Sequence, residues 1–313
     1  MGIRNLKGFI ERRYRGYISH HLSSLKGKKI AIDTNLYMYK FMYNNENYLN
    51  HFYNMIGKFR KYNIVPIFIF DGKPPKEKQK TLEERKEVRI EREKKIEILK
   101  TKIRSYSSQP EVVVKEKDIN MVEIEKELNK LEAENVKVTR DKLGRTKELF
   151  KLMGIPFIQG DMEAELLSVK LCDLKIADCV MSDDTDVIAL GCKMVLTNYN
   201  IQNEYIDVFY LNKILFDLKL DYKSFLDLCI LLGNDYVDRP KGLSVDDCYK
   251  IIKRDKCFEN IKLKETIDYN KIRDLYNLQK VILNQEKISE EIINCKENLE
   301  LLETFIKDNQ INI

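Results

Sequence analysis

Three short apolar runs in this chain each close on an acid: Lys29-Ile30-Ala31-Ile32-Asp33, Ile64 to Phe70 followed by Asp71, and Ala177 to Met181 followed by Ser182-Asp183-Asp184. Runs of this length without alternation read as strands buried on both faces, the pattern of a parallel sheet. Lys193 to Thr197 reads as a further short strand, and Leu36 to Lys61, rich in Tyr, Phe and Met, carries helical spacing. Strands alternating with helices predict an open α/β sheet. Ligands of such sheets sit beyond the C-terminal strand ends, so three strands delivering aspartate to that edge mark a candidate site.

More acids fall at element ends. Glu163 and Glu165 open an apolar helical pattern, Asp184 and Asp186 follow a strand, and Asp235 follows the run Leu226 to Leu232. With Asp33 and Asp71 the set holds seven carboxylates. Two unit charges about 4 Å apart repel by about 4 kcal/mol at an effective dielectric of 20, so convergence requires cations. Oxygen ligands without His or Cys select Mg²⁺, with Mn²⁺ as a substitute. Two such ions about 4 Å apart are a device for in-line attack on a phosphodiester. Taken singly, each acid has a plainer reading, since an Asp after a strand caps a helix and a Glu-x-Glu pair decorates a solvated face. The joint placement carries the metal reading.

Charge distribution adds a partner. The 313 residues have a net charge of +5, and Lys76 to Arg104 holds 12 Lys/Arg against 7 Asp/Glu, so this segment accounts for the whole excess. A basic stripe on a neutral body suits a polyanion. From Pro74 to about Arg140 long Lys/Glu/Arg-rich helical stretches carry a thin apolar stripe, broken at Ser105 to Pro110. That pattern predicts an excursion from the sheet that packs loosely or orders on a partner. After about Leu211 the chain reads as helical. Seven cysteines without a Cys-x-x-Cys pair argue against a zinc ribbon or a disulfide framework and for a reducing compartment, and three histidines leave little for a His-based triad or a zinc site. No apolar run approaches the ~18 residues of a membrane span, no signal-like stretch opens the chain, and Leu6 stands where myristoylation wants Ser or Thr. An intracellular chain without a membrane partner is expected.

The ordered motifs resemble those of the flap endonuclease/XPG-type 5′-nucleases over roughly the first 255 residues. They are Met1-Gly2-Ile3 with Leu6, Ile30 to Asp33 with Tyr37 and Tyr39, and Phe70-Asp71-Gly72-Lys73-Pro74-Pro75, the most distinctive string. Leu152 to Pro156 with Glu163-Ala164-Glu165, then Asp184-Thr185-Asp186 and Leu231 to Tyr236, complete the set. The resemblance implies a PIN-like or Rossmann-like core with a central, mostly parallel sheet. Its halves would be 1–73 and 141–215, with a helical arch at 74–140, a duplex-binding helix–two-turn–helix at 216–258 and a C-terminal helical extension at 259–313. It implies a 5′ flap endonuclease with 5′→3′ exonuclease activity, a monomer acting on branched, nicked or 5′-ended DNA in replication, repair or recombination.

Carried over by position, Asp33, Asp71, Glu163 and Glu165 would lie nearer one ion and Asp184, Asp186 and Asp235 nearer the other. Lys78 and Arg85 would be arch cations on the scissile phosphate, and their spacing of two helical turns puts them on one face. Tyr39 would stack the base next to the cut, a use of aromatics general for unpaired bases, although helical burial is an equal reading of it. Gly2 would lie near the active site. Gly242 and Ser244 would contact the duplex backbone with help from Lys250 and Lys253, and a K⁺ ion would sit at their turn.

The chain departs from the family pattern twice. Gly242-Leu243-Ser244 replaces Gly-x-Gly, a change in which Ser244 can cap the next helix and its amide remains a phosphate donor. No sliding-clamp box follows Lys256, and Glu286 to Ile313 holds 7 acids against 3 bases, a packing element or partner-facing tail. A 5′→3′ exonuclease, a junction-resolving nuclease, a related RNase and a non-catalytic branched-DNA scaffold stay open as alternatives.

Overall fold

The computed structural model describes residues 2–14, 18–43, 47–107, 114–262, 267–283, 288, 292 and 296–312. Met1, Cys295, the end of the Ser105 to Pro110 break and much of the acidic stretch from Glu286 lie outside them. The chain opens with α1 (Leu6–Arg13), β1 (Ile18–His21), β2 (Lys29–Asp33), α2 (Thr34–Met42), α3 (Tyr48–Lys61) and β3 (Val65–Phe70). Two long helices follow, α4 (Gln79–Ser107) and α5 (Val114–Glu134), then α6 (Arg140–Leu152), β4 (Phe157–Gln159), α7 (Ala164–Asp173), β5 (Cys179–Met181) and the one-turn α8 (Asp186–Ala189). Next come β6 (Met194–Asn200), β7 (Tyr205–Tyr210), α9 (Leu211–Leu218), α10 (Tyr222–Leu232), α11 (Val245–Asp255), α12 (Tyr269–Leu275) and α13 (Leu299–Asp308).

The seven strands form one sheet in the order β1-β7-β6-β5-β2-β3-β4. The five from β6 to β4 are parallel, while β7 runs antiparallel to both β6 and β1. The three acid-ended runs became β2, β3 and β5, adjacent at its centre, with β2 and β3 buried along all but their first residue. Their side chains alternate between two cores, as the two-residue period of a strand requires. Ala31, Ile67, Ile69 and Val180 face one core with α1, α7 and α9 to α12. Ile30, Ile32, Phe68, Phe70 and Met181 face the other with α2, α3, α6 and α13. In the second, Phe68 and Phe150 stack at 4.0 Å between ring centres.

The stretch Leu36 to Lys61 falls into two helices, α2 and α3. In α3 the buried residues Leu49, Phe52, Met55, Ile56 and Phe59 make the apolar stripe that seats it. α10 is buried from Ser224 to Leu232, its polar residues Ser224 and Asp227 included. α4 and α5 pair beside the sheet through the thin stripe the sequence indicated, with Ile96 and Leu99 buried. Ion pairs supplement it: Lys100 with Glu132 at 2.7 Å between the two helices, and Lys137, just past α5, with Glu93 at 2.6 Å. The described part of 259–313 packs into both cores, Ile272 and Tyr276 on one face and Leu302, Phe305 and Ile306 on the other. Among the described residues no helix is long and apolar enough to cross a membrane, and the six described cysteines are free.

Candidate active site

The C-terminal edge of β2, β3 and β5 gathers the acids. Asp33, the last residue of β2, accepts the Leu36 amide on Oδ1 at 3.1 Å, capping α2, while its Oδ2 accepts the Ser182 hydroxyl at 3.4 Å. Asp71 follows β3 and accepts the Ala164 amide at 2.8 Å, so it caps α7 from a neighbouring strand. The plainer reading of these acids as helix caps is thus observed for Asp33 and Asp71, and it leaves both at the same sheet edge. Glu163 immediately precedes α7 and Glu165 lies in its first turn. Asp184 accepts the Asp186 amide at 2.8 Å, which orders the loop between β5 and α8.

Two glycines let the backbone close on this edge. Gly2 has φ +79°, and a Cβ there would stand 2.0 Å from Asp184 Oδ1 and 2.9 Å from the Asp186 nitrogen. A Cβ on Gly72 would meet the Asp161 and Gly160 backbone at 2.3 and 2.4 Å. The Asp71-Gly72 turn therefore lies flat against the loop before α7, which explains the residue type in that motif.

Electrostatics follow from crowding. Burial and then the charge of Asp71 raise Asp33 to about 8. Burial raises Glu165 well above the carboxylate range, with Asp33, Asp184 and Asp71 adding to it. Asp186 is raised well above that range by burial, then by Asp184 and Asp235. Asp71 and Asp184 are raised chiefly by burial. Such a cluster holds either protons or cations at neutral pH.

Lys78 and Arg85 supply part of the countercharge. Lys78 closes the short 3₁₀ turn Lys76–Lys78 and Arg85 lies in α4, so they stand on consecutive elements rather than on one helix face. Both reach Asp235 nonetheless. Lys78 Nζ donates to Glu163 Oε1 and stands 3.0 Å from Asp235 Oδ2, while Arg85 Nη2 donates to Asp235 Oδ1 at 2.7 Å. Burial pulls the Lys78 ammonium down, but Glu163 and Asp235 outweigh it and hold the group above the usual lysine range. Lys78 therefore bridges one acid from each half of the carboxylate set.

Tyr39, Asp71, Lys78, Arg85, Lys86, Arg89, Glu163, Glu165, Asp184 and Asp235 line one open groove. Tyr39 is 47% exposed, whereas Tyr37 is buried; Tyr37 is thus the core residue and Tyr39 is presented to the groove. The described residues include no three Asp, Glu, His or Cys side chains close enough to enclose one ion as they stand. Two of the acids, Glu163 and Asp235, are paired with Lys78 and Arg85 instead. The donor set nevertheless fits hard divalent ions: it is all carboxylate oxygen, and of the seven acids only these two pair with Lys78 and Arg85.

Gly242, Ser244, Lys250 and Lys253 stand apart from the groove, on the turn into α11 and along it. Ser244 caps α11 in a capping box with Asp247, as its residue type suggested. The Ser244 amide is not free for a phosphate, however, because it donates to Asp247 Oδ2 at 3.1 Å. Lys250 and Lys253 are exposed. Two tyrosines that sequence reading left without a role also reach the acids: Tyr236 donates to Glu163 at 3.3 Å and Tyr276 to Asp186 at 3.0 Å. Tyr236 lies inside a recognised motif, whereas no local pattern marks Tyr276.

Family models for the XPG N-terminal domain and the XPG I-region match residues 1–92 and 154–235, the segments that hold all seven acids. A probable RAD2-like endonuclease of Invertebrate iridescent virus 3 is 30% identical, over 98% of this chain and 93% of its own length. Flap endonuclease 1 of Encephalitozoon cuniculi is 33% identical, over 86% of this chain and 77% of its own. Among solved structures, the catalytic core of Rad2 in complex with a DNA substrate superposes with a TM-score of 0.65 at 22% identity, covering 98% of this chain and 95% of that one; this likeness shows the fold. The chain belongs to the XPG family of nucleases, together with the flap endonucleases and RAD2-like endonucleases it resembles.

Proposed function

We propose that this chain is a structure-specific 5′ flap endonuclease with 5′→3′ exonuclease activity, hydrolysing DNA phosphodiesters at branches, nicks and 5′ ends. The observation that carries the reading is the single groove in which Lys78 and Arg85 stand over Glu163, Glu165, Asp184 and Asp235 beside an exposed Tyr39. Asp33, Asp71, Glu163 and Glu165 would hold one Mg²⁺ and Asp184, Asp186 and Asp235 a second, with Mn²⁺ able to replace them. Ions bound there supply Lewis acidity and charge neutralisation at the phosphate.

The chain's own groups do the rest. Lys78 and Arg85 exchange Asp235 and Glu163 for oxygens of the scissile phosphate and stabilise the charge that develops on it. Tyr39 stacks the unpaired base beside the cut. The Gly242 to Ser244 turn, with Lys250 and Lys253, grips the duplex backbone, so recognition is of shape rather than sequence. A K⁺ ion at that turn, action as a monomer and an intracellular location belong to the same proposal.

The test uses end-labelled flap, nicked, gapped, blunt and four-way-junction DNA with Mg²⁺ or EDTA, beside Asp184→Asn. Mg²⁺-dependent incision at the flap base is expected, abolished in the variant while binding persists. Preferential cutting of the junction would move the assignment to a resolving nuclease. Binding without incision under Mg²⁺ or Mn²⁺ would leave only a scaffold.

A further inference from the structure

The segment beyond residue 258 carries no catalytic motif, yet it delivers a buried hydroxyl to the acid cluster. Tyr276 follows α12, is 4% exposed, and donates its phenolic O–H to Asp186 Oδ1 at 3.0 Å. Its ring meets Tyr236 edge-on, with centres 6.0 Å apart, and Tyr236 itself donates to Glu163. Neither tyrosine lines the groove that Tyr39 and Arg85 line. Leu166, Leu190 and Leu275 line the small cavity around them together with Glu165 and Asp186.

The placement of Tyr276 is enforced by a clamp on its own helix. Arg273, one turn earlier, grips the fully buried Asp227 of α10 through two hydrogen bonds, Nε to Oδ1 at 2.7 Å and Nη2 to Oδ2 at 2.5 Å. It also pairs with Glu259 at 2.7 Å. Asp227 in turn accepts the Phe258 amide at 3.0 Å. A paired arginine and aspartate at that depth fix one position of α12 against α10, because any other arrangement leaves a buried charge unpaired. α10 is the helix that leads into Asp235, so one rigid unit positions Asp235 directly and Asp186 through Tyr276.

We propose that Tyr276 is a positioning residue for the divalent-ion site, its hydroxyl holding Asp186 in the orientation that binds metal. A hydrogen bond to one carboxylate oxygen fixes the plane of the group and leaves the other oxygen for a cation, which is how outer partners tune metal ligands. The proposal rests on the reading of Asp186 as a ligand. It gives the C-terminal extension a part in the chemistry, in addition to packing.

The test is Mn²⁺ binding by calorimetry to the full chain in three forms: wild type, Tyr276→Phe and Asp186→Asn. Tyr276→Phe keeps the ring and removes only the hydroxyl, and its melting temperature in EDTA reports whether the fold is intact. The expected result is about 10-fold weaker binding of one Mn²⁺ in Tyr276→Phe, the low end for loss of an outer-shell partner. The half-saturating Mg²⁺ for flap cutting should rise by a similar factor, far more than the rate at saturating Mg²⁺ falls. If Asp186→Asn loses a Mn²⁺ site while Tyr276→Phe titrates like wild type, the positioning role is overturned and the ligand reading stands. If Asp186→Asn also titrates like wild type, the ligand reading itself fails.

Discussion

Asp33 divides its carboxylate between two tasks, one oxygen capping α2 and the other facing Ser182 and the acid cluster. Asp71 likewise caps α7 while lining the groove. At this scale the residue type is overdetermined, because the Asp that ends a strand well is also the Asp that starts the next helix and serves the site. Gly2 is the stricter case. Its φ of +79° and the 2.0 Å gap from a hypothetical Cβ to Asp184 Oδ1 leave no room for a side chain. Gly2→Ala is expected to displace Asp184 and lower flap cutting by about 10-fold or more, since a misplacement of 1 Å can cost about 100-fold. Steady-state kinetics alongside an unchanged circular dichroism spectrum would check this, and full activity in the alanine variant would contradict the assignment. The need for glycine at position 2 cannot be derived from composition or periodicity. It follows from a contact with a residue 182 positions away, and only the family resemblance pointed to it.

Among the elements, α4 and α11 put positive charge to different uses. α4 carries Arg85 into the acid groove, whereas α11 holds Lys250 and Lys253 on an exposed face beyond the Gly242 to Ser244 turn. The Ser244 amide is occupied by Asp247, so donation from that amide requires the capping box to open, and the two lysines carry more of the attraction. Replacing Lys250 and Lys253 together by Ala is expected to weaken duplex binding and reduce the slope of log K against log salt by about 2. The cutting rate at saturating DNA should change little. Fluorescence anisotropy across a salt series would measure it, and an unchanged slope would remove both lysines from the interface. The α4–α5 pair was legible as long charged helices outside the core because a stretch with so few apolar residues cannot be a core element. Its pairing through Ile96, Leu99 and a handful of ion pairs was not, since a stripe that thin does not specify its partner.

Across the whole molecule, the acids come from β2, the ends of β3 and β5, the start of α7 and the segment after α10, so cations bound as proposed would tie distant parts of the chain together. Asp33, raised to about 8, binds its proton more tightly in the folded chain than in the unfolded one. Its contribution is fully present below the unfolded value near 4 and is lost as pH rises through about 8. In EDTA the melting temperature of the wild type should therefore fall relative to that of Asp33→Asn between about pH 5 and 8. Divalent ions should reverse the trend, raising the melting temperature more at pH 8 than at pH 6, because they bind the deprotonated acids. Calorimetry over that range would decide it; a wild type that gains on Asp33→Asn as pH rises without metal contradicts the electrostatic account.

The sequence by itself determined the chemistry. Apolar runs closed by acids gave β2, β3, β5 and the identity of the candidate ligands, because burial pattern and helix capping are local properties of the chain. It did not reveal β1, β4 or β7. β4 is three residues long, and β1 and β7 pair antiparallel at the other edge of the sheet, held by partners far off in sequence. Tertiary structure alone decided that Lys78 bridges Glu163 and Asp235, that Tyr39 rather than Tyr37 faces the groove, and that Tyr276 reaches back to Asp186. Each of these depends on where separate elements come to rest against one another, a matter of packing between surfaces that no local pattern encodes.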